Sequence, residues 1–433
     1  MSTLDAPRPL PSPYIQVAGL VAAMALIAVG NGLMATYVPV RLNDVGVESR
    51  AVGAVVTAYA VGMLLGCLLS GYLVRRSGHV RAFTTLAAMG TISALLLSIE
   101  TGALSWGALR IAGGFCTTGM FMIAQSWLNA VTQSAWRGRV MALFYVSYTV
   151  GLATGALALS RLDVAGDDAL MLLAGCYAAA LAPIGLTRLQ QPDAPQRITV
   201  KLREVYAISP IGLVGAFVSG GLGMTMLGVG PLYGTEIGLA AAQVALLTAA
   251  LQGGNLIIQW PLGALSDRID RRLVILAASI GVALASIAVA AFGASVPGAL
   301  FWGLLAVFAI WGGLAESIYT ISTAHANDHA QADDVVMVSS TILIVWATGA
   351  TLGPAVATVA LEVAGVVGLW AFFLAEAALF AGFVIWRRTR RERPADADQE
   401  EFQAWPASSP PIPELSPLSE QEEREGETEA QPR

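Results

Sequence analysis

Apolar runs close to twenty residues long recur along almost the whole chain, near 14–40, 51–74, 80–99, 103–131, 140–160, 168–187, 209–233, 241–265, 272–293, 297–323, 334–360 and 364–387, each bounded by short polar stretches. A helix rising 1.5 Å per residue needs about 20 apolar residues to cross the hydrocarbon of a bilayer, so each run is a predicted membrane crossing. The expectation is an all-α membrane protein of twelve transmembrane helices. About 33 residues serve each helix with its connection, which leaves no room for a sizeable extramembrane domain. The first run is too long for the apolar core of a signal peptide and lacks a basic segment ahead of it, so it is expected to be retained as a helix.

Composition agrees and narrows the function classes. Of the 433 residues 56% are hydrophobic and 12% charged, whereas a soluble domain carries about 25% charge. A soluble enzyme with one buried core is thereby excluded. Cys67, Cys116 and Cys176 all fall inside apolar segments, where thiols behave as small core residues, so neither a disulfide framework nor a thiolate metal site is expected. No phosphate loop, haem pair, metal cluster or nucleophile constellation occurs, which speaks against an ATP-driven pump, a redox enzyme and any nucleic-acid partner. No cofactor is expected.

The net charge of -6 is unevenly placed: residues 1–391 balance at +3 and residues 392–433 at -9. An even number of crossings puts both ends on one side. The N-terminus, the loops on that side and the segment after the last run hold 18 Arg or Lys, against Arg41, Arg50 and Arg161 on the other. The positive-inside rule then places both termini in the cytoplasm of a bacterial inner membrane. The segment 394–433, rich in Pro, Glu, Ser and Gln, is predicted to be disordered, because it lacks the apolar surface needed to offset ordering entropy.

Sliding the chain against itself by 192 residues pairs Pro39 with Pro231, Ala58 with Ala250, Gly62 with Gly254, Gly71 with Gly263 and Arg76 with Arg268. The two halves are copies. The expected organisation is a cytoplasmic N-terminal tail (1–13), a six-helix bundle (14–187), a cytoplasmic linker (188–208), a second bundle (209–391) and the acidic tail (392–433). Parallel repeats of six helices about an axis along the membrane normal are a transporter architecture, with the substrate site at the repeat interface near the midplane. Small residues recur every fourth position on span 2 (Ala58, Gly62, Gly66, Ser70), span 5 (Ser147, Gly151, Gly155) and span 11 (Gly349, Gly353, Ala357), a spacing that lets helices pack closely.

The turn after the second run of each copy is the sharpest motif: Gly71, Arg75, Arg76 and Gly78, with Arg81 after them, answer Gly263, Asp267, Arg268 and Asp270, with Arg271 and Arg272 after them. Both turns resemble the loop signature of the major facilitator superfamily, in which Gly, an Asp-Arg pair, a second Gly and basic residues follow one another. The resemblance covers all twelve runs. Arg137-Gly138-Arg139 and Gln259-Trp260-Pro261 narrow it to the YcaD-type branch, transporters of unassigned substrate. It implies two pseudo-twofold-related six-helix bundles and a cytoplasmic gate at Gly71, Arg76, Gly78, Gly263, Asp267 and Arg268. An acid and arginines can form charge-assisted bonds there that break and remake. With Arg75 in the place of the family's Asp, that gate is expected to be lopsided.

Charges inside the spans are few and costly, and so are functional candidates. Arg110 on span 4 and Glu316 on span 10 are the two best placed. With Gly114, Arg110 resembles the span 4 signature of the superfamily. It is expected to orient an anionic or polar substrate group from the periplasmic side. Glu316 lies deeper, by about 18 Å on helical rise, and is expected to exchange a proton without pairing with Arg110. In the YcaD-type branch an acidic residue often stands where this chain has Gln125, which is itself a candidate on the substrate and proton pathway. Glu376 on span 12 reads as a structural carboxyl. Gln252, Asn255 and Gln259 share one helical face, and Asn31, Tyr59 and Tyr145 join them as candidate lining of the substrate and proton pathway, beside aromatic and Met walls that include Met224 and Trp346. Such walls suit a small, moderately hydrophobic organic solute.

The expected function is secondary active transport by alternating access, with proton-coupled efflux preferred. The alternatives are proton-coupled uptake and a non-transporting sensor or scaffold whose output is the acidic tail. The partners expected are a small-molecule substrate, protons and the bilayer, in a monomer.

Overall fold

The computed structural model describes residues 13–99, 102–187, 189, 192, 200–292, 298–331 and 334–389; the acidic tail and its predicted disorder lie outside these. The described residues form helices and no strand: α1 (Pro13–Asp44), α2 (Ser49–Ser77), α3 (His79–Ile99), α4 (Ala103–Val131), α5 (Ser134–Ala158), α6 (Asp168–Ala179), α7 (Leu181–Leu186), α8 (Leu202–Ile208), α9 (Pro210–Glu236), α10 (Ala241–Ser266), α11 (Arg271–Phe292), α12 (Phe301–Asn327) and α13 (Val335–Arg388). Eleven stretches are long and apolar enough to cross a membrane. The last of them holds two crossings.

At 54 residues, α13 would extend about 81 Å if straight, far more than one bilayer. It breaks at Ala364 and at Gly365, whose φ of 61° lies in the left-handed region that glycine enters at no steric cost. The segments 335–363 and 366–388 are therefore the eleventh and twelfth crossings. The sixth is also split, at Ala180 between α6 and α7. Pro183 lacks the N–H that would bond the carbonyl of Ala179, which explains the interruption. The tenth starts at Phe301 and runs on to Asn327, later at both ends than the apolar run. Its foot is fixed by Asp328, which accepts a 2.7 Å bond from Arg271 Nε. The linker is not wholly irregular, since α8 forms within it.

The helices pair by the same rule in both halves. α1 packs on α5 and α2 on α4, just as α9 packs on the first segment of α13 and α10 on α12. The glycines are the cause. A Cβ on Gly62 would strike the Ile111 carbonyl of α4, and one on its repeat mate Gly254 would strike the Ala309 carbonyl of α12. Gly155 meets Val29 of α1 in the same way as Gly349 meets Phe217 of α9. Backbones can approach this closely only where no side chain intervenes, and close approach is what holds apolar helices together in lipid, which is as apolar as they are. The three cysteines are free and buried in this packing.

Between the halves, α2 lies along α13, α5 along α10 and α1 along α9. The side where α1 begins is called the termini side below, and the other the distal side.

Candidate functional site

A cavity of about 140 Å³, open on one side, lies where the halves meet. Every helix of the four pairs contributes to it. Asn31 and Met34 come from α1, Tyr59 and Met63 from α2, Arg110 from α4, and Tyr145 and Tyr148 from α5. The second half adds Met224 from α9, Gln252 and Asn255 from α10, Trp311 and Glu316 from α12, and Trp346 from α13. Arg110 and Glu316 are the two charged residues among this lining.

Arg110 is 9% exposed. Its Cζ stands 4.1 Å from the centroid of the Tyr59 ring, and its buried Nε–H has no acceptor. It pairs with no carboxylate among the described residues. Glu100, a rim acid that could have served it, lies outside those residues, and Glu236 is engaged elsewhere, accepting a 2.9 Å bond from Ser49 Oγ. Glu316 faces the backbone of α9, with Oε2 4.0 Å from where a Cβ on Gly223 would be. The two charges border one cavity without forming an ion pair. Measured from Ala103 and Phe301, the true starts of α4 and α12, their depths differ by about 12 Å on helical rise, less than the sequence suggested because α12 begins later.

Polar bonds cross between the halves on both sides of the cavity. On the distal side Ser49 bonds Glu236 and Arg50 Nε approaches Glu362 Oε2 at 3.9 Å. Toward the termini side, Tyr145 OH donates to Asn255 Oδ1 at 2.9 Å, joining α5 to α10. Below that bond, Cys67 of α2 is buried in one apolar cluster with Tyr319 and Ile342.

Of the sequence candidates, Asn31, Tyr59, Arg110, Tyr145, Gln252, Asn255 and Glu316 come together in the cavity. Gln259 and Gln125 do not border it. Gln259 is fully buried and its Nε2 donates to Thr320 Oγ1 at 2.9 Å, binding α10 to α12, while Gln125 is buried within its own half. Tyr177 and Thr117 were not foreseen: their hydroxyl oxygens lie 2.7 Å apart and each is 3.1 Å from Asn31 Oδ1, so their two protons make two of these three bonds at a time. A Tyr and a Thr in apolar runs carry no pattern that announces such a cluster.

The two motif turns differ from one another. In the first, Gly78 caps α2 with a φ of 80°, which only glycine adopts freely, while Arg75 and Arg76 are exposed and Gly71 carries no load beyond its neighbour Arg75. In the second, Asp267 is bonded to Arg271 at 3.1 Å rather than to Arg268, which is exposed. Gly263 supplies the carbonyl that receives the Asp267 N–H. Arg271 also holds Asp328 at 2.7 Å, both side chains 2% exposed. These charges tie the α10–α11 turn to the foot of α12, inside one half.

Asp270 accepts from the backbone N–H of Arg272 at 2.9 Å and from its Nε at 3.0 Å. Partial burial pushes this carboxyl up, but the bonds and charge of Arg272 outweigh it, and the net effect holds Asp270 below the usual aspartate value. A folded-state value that is lowered gives stability present above the unfolded value of about 3.9 and lost as pH falls through the folded one. The melting temperature of the native protein should therefore exceed that of Asp270→Asn at neutral pH, and the gap should close below about pH 4. A gap that widens on acidification would contradict this.

The family model of the Major Facilitator Superfamily matches residues 20–210 and again 211–421. The chain belongs to the major facilitator superfamily. Proteins described as uncharacterized MFS-type transporter YcaD are similar to it: that of Escherichia fergusonii is 27% identical over 337 residues, 77% of this chain and 86% of its own. That of Salmonella enteritidis is 26% identical over 345 residues, 79% and 88% of the two chains. Solved structures share the fold. The nucleoside transporter NupG superposes with a TM-score of 0.69 at 12% identity, covering 88% of this chain and 100% of that one. The D-xylose-proton symporter gives 0.68 at 14% identity, covering 89% and 99%, and the human organic anion transporter MFSD10 gives 0.59 at 14%, covering 86% and 100%. This is thus a multi-pass membrane protein of a transporter family, as the motif turns and the Gln259-Trp260-Pro261 run had indicated.

Proposed function

We propose that the chain is a proton-coupled secondary transporter that carries a small, moderately hydrophobic organic solute by alternating access, working as a monomer in a bacterial inner membrane with both termini in the cytoplasm. The observation that carries this reading is the cavity between two halves of matching construction, lined by aromatic, Met and amide side chains around one Arg and one Glu. Two rigid bundles joined by a few breakable bonds, Tyr145 to Asn255 on one side and Ser49 to Glu236 on the other, can rock about such a cavity so that each side opens in turn. Glu316 is the acid placed to exchange the proton. The three-dimensional relatives named above as nucleoside transporter, sugar symporter and organic anion transporter are consistent with small organic cargo. Export is the direction we favour, on the Gly353-Pro354 pair of the eleventh crossing, which resembles a signature that the superfamily's antiporters carry on the fifth crossing, where this chain has Ala156 instead.

Comparing solute accumulation in a deletion strain and its complemented parent would identify cargo. The purified protein in proteoliposomes should then move protons when that solute is added. Solute binding with no proton or solute flux would instead favour a sensor.

A further inference from the structure

The cavity contains a cluster of donors that have nothing to donate to. Arg110 brings a positive charge and a buried Nε–H that meets no acceptor among the described residues, and Asn31, whose oxygen lies 3.1 Å from the hydroxyls of Thr117 and Tyr177, has a buried Nδ2 that likewise meets none. Both residues border the central cavity and also a small side pocket with Tyr59 and Tyr177. A guanidinium as buried as this one is costly unless an opposite charge or hydrogen-bond acceptors compensate it. The face of Tyr59 offsets part of that cost, but no carboxylate among the described residues does, for Glu316 is not paired with Arg110.

From this geometry we infer that the solute is an organic monoanion whose carboxylate docks between Arg110 and Asn31. This rests on the transporter reading and names its cargo class. A carboxylate is an acceptor on both oxygens and matches the planar fork of a guanidinium bidentately, so it suits the charge of Arg110 and the amide of Asn31 alike. A neutral amide would bring donors of its own to a place already full of them. A cation would meet Arg110 head-on. The rest of the cavity describes the body of the molecule: Met34, Met63 and Met224 with the rings of Trp311 and Trp346 form an adaptable apolar wall fit for a flat aromatic or aliphatic group.

Equilibrium binding of tritiated naphthoate to the purified full-length protein in nanodiscs, competed with naphthamide and naphthyltrimethylammonium, tests the assignment. Naphthoate should bind saturably, and both competitors should be weaker by roughly tenfold or more, the size expected for a lost charge-assisted bond. Arg110→Gln should erase the preference, while Arg110→Lys should keep the sign of the charge and part of the preference. Asn31→Asp guards against a variant that fails to fold. It places a carboxylate beside Arg110, which should raise the melting temperature and abolish naphthoate binding. Absence of saturable naphthoate binding, equal competition by the amide or the cation, or undiminished binding by Asn31→Asp would each overturn the inference. If a neutral solute is accumulated in proteoliposomes under a proton gradient while naphthoate is ignored, the transporter reading stands and the anion site falls. Naphthoate bound at Arg110 but never moved would uphold the site and sink the transporter reading.

Discussion

Glu316→Gln should abolish proton-driven accumulation of solute while leaving the exchange of internal for external solute close to the native rate. Glu316 is the acid among the described lining of the cavity, and it lies on α12 beside Ala315, facing the glycine-lined backbone of α9 at Gly223. Glutamine keeps the shape and hydrogen-bonding reach of a protonated glutamate but can neither lose nor gain the proton. A gradient of one pH unit is worth about 1.4 kcal/mol, a tenfold concentration ratio at one-to-one coupling. In the variant that ratio should fall to about one. Exchange requires the halves to rock with solute bound and no net proton movement, so it should survive. The measurement is radiolabelled solute uptake into proteoliposomes, run once with an imposed pH gradient and once as counterflow. Accumulation by the variant equal to that of the native protein would remove Glu316 from the coupling role.

Arg271→Ala should be the most destabilising single change at the termini side. Arg271 and Asp328 are each 2% exposed and meet at 2.7 Å, and the same guanidinium bonds Asp267 at 3.1 Å and Ser266 at 3.2 Å. Removing the cation leaves the Asp328 carboxylate buried without its counter-charge, a loss of about 3–5 kcal/mol. Because the pair itself has to offset its own desolvation, the double replacement Arg271→Met with Asp328→Leu should recover much of that loss. The check is the thermal melting of detergent-purified protein for both singles and the double. Additive losses in the double variant would show that the two side chains do not act as a pair. Arg268→Ala, an exposed neighbour, should change melting little.

The contrast between those two arginines marks how much of the site could be read from the chain. The motif turn 263–272 is conspicuous because its acids and arginines interrupt apolar runs, and its resemblance to the family signature implied that Asp267 and Arg268 act together. Folding gives Asp267 to Arg271 instead, one helical turn later and on the same face, where side chains four residues apart meet. Asp328, sixty residues downstream by rough count, could join them only once α11 and α12 were packed side by side. Likewise Gln259 shares a helical face with Gln252 and Asn255, and that much was legible. It sits deeper along α10, however, where α12 has closed over it and Thr320 takes its amide, so the periodicity placed it on the right face and not in the cavity.

What the sequence determined by itself is the part that depends on local chemistry. Long apolar runs demand helices in lipid because every backbone group must be satisfied within its own segment, and a repeat of 192 residues with matching glycines demands two alike bundles. The close contacts of Gly62 and Gly254 with the facing carbonyls were implied by small residues at every fourth position. The break at Ala364–Gly365 fell where the eleventh and twelfth runs parted. The tertiary structure alone decided which polar atoms are left without partners. Whether Arg110 is neutralised depends on residues hundreds of positions away and on the angle between helices; only when α1, α2, α4 and α12 are set around one space does it emerge that Tyr59 covers the guanidinium, that Glu316 does not pair with it, and that Asn31 lines the same pocket.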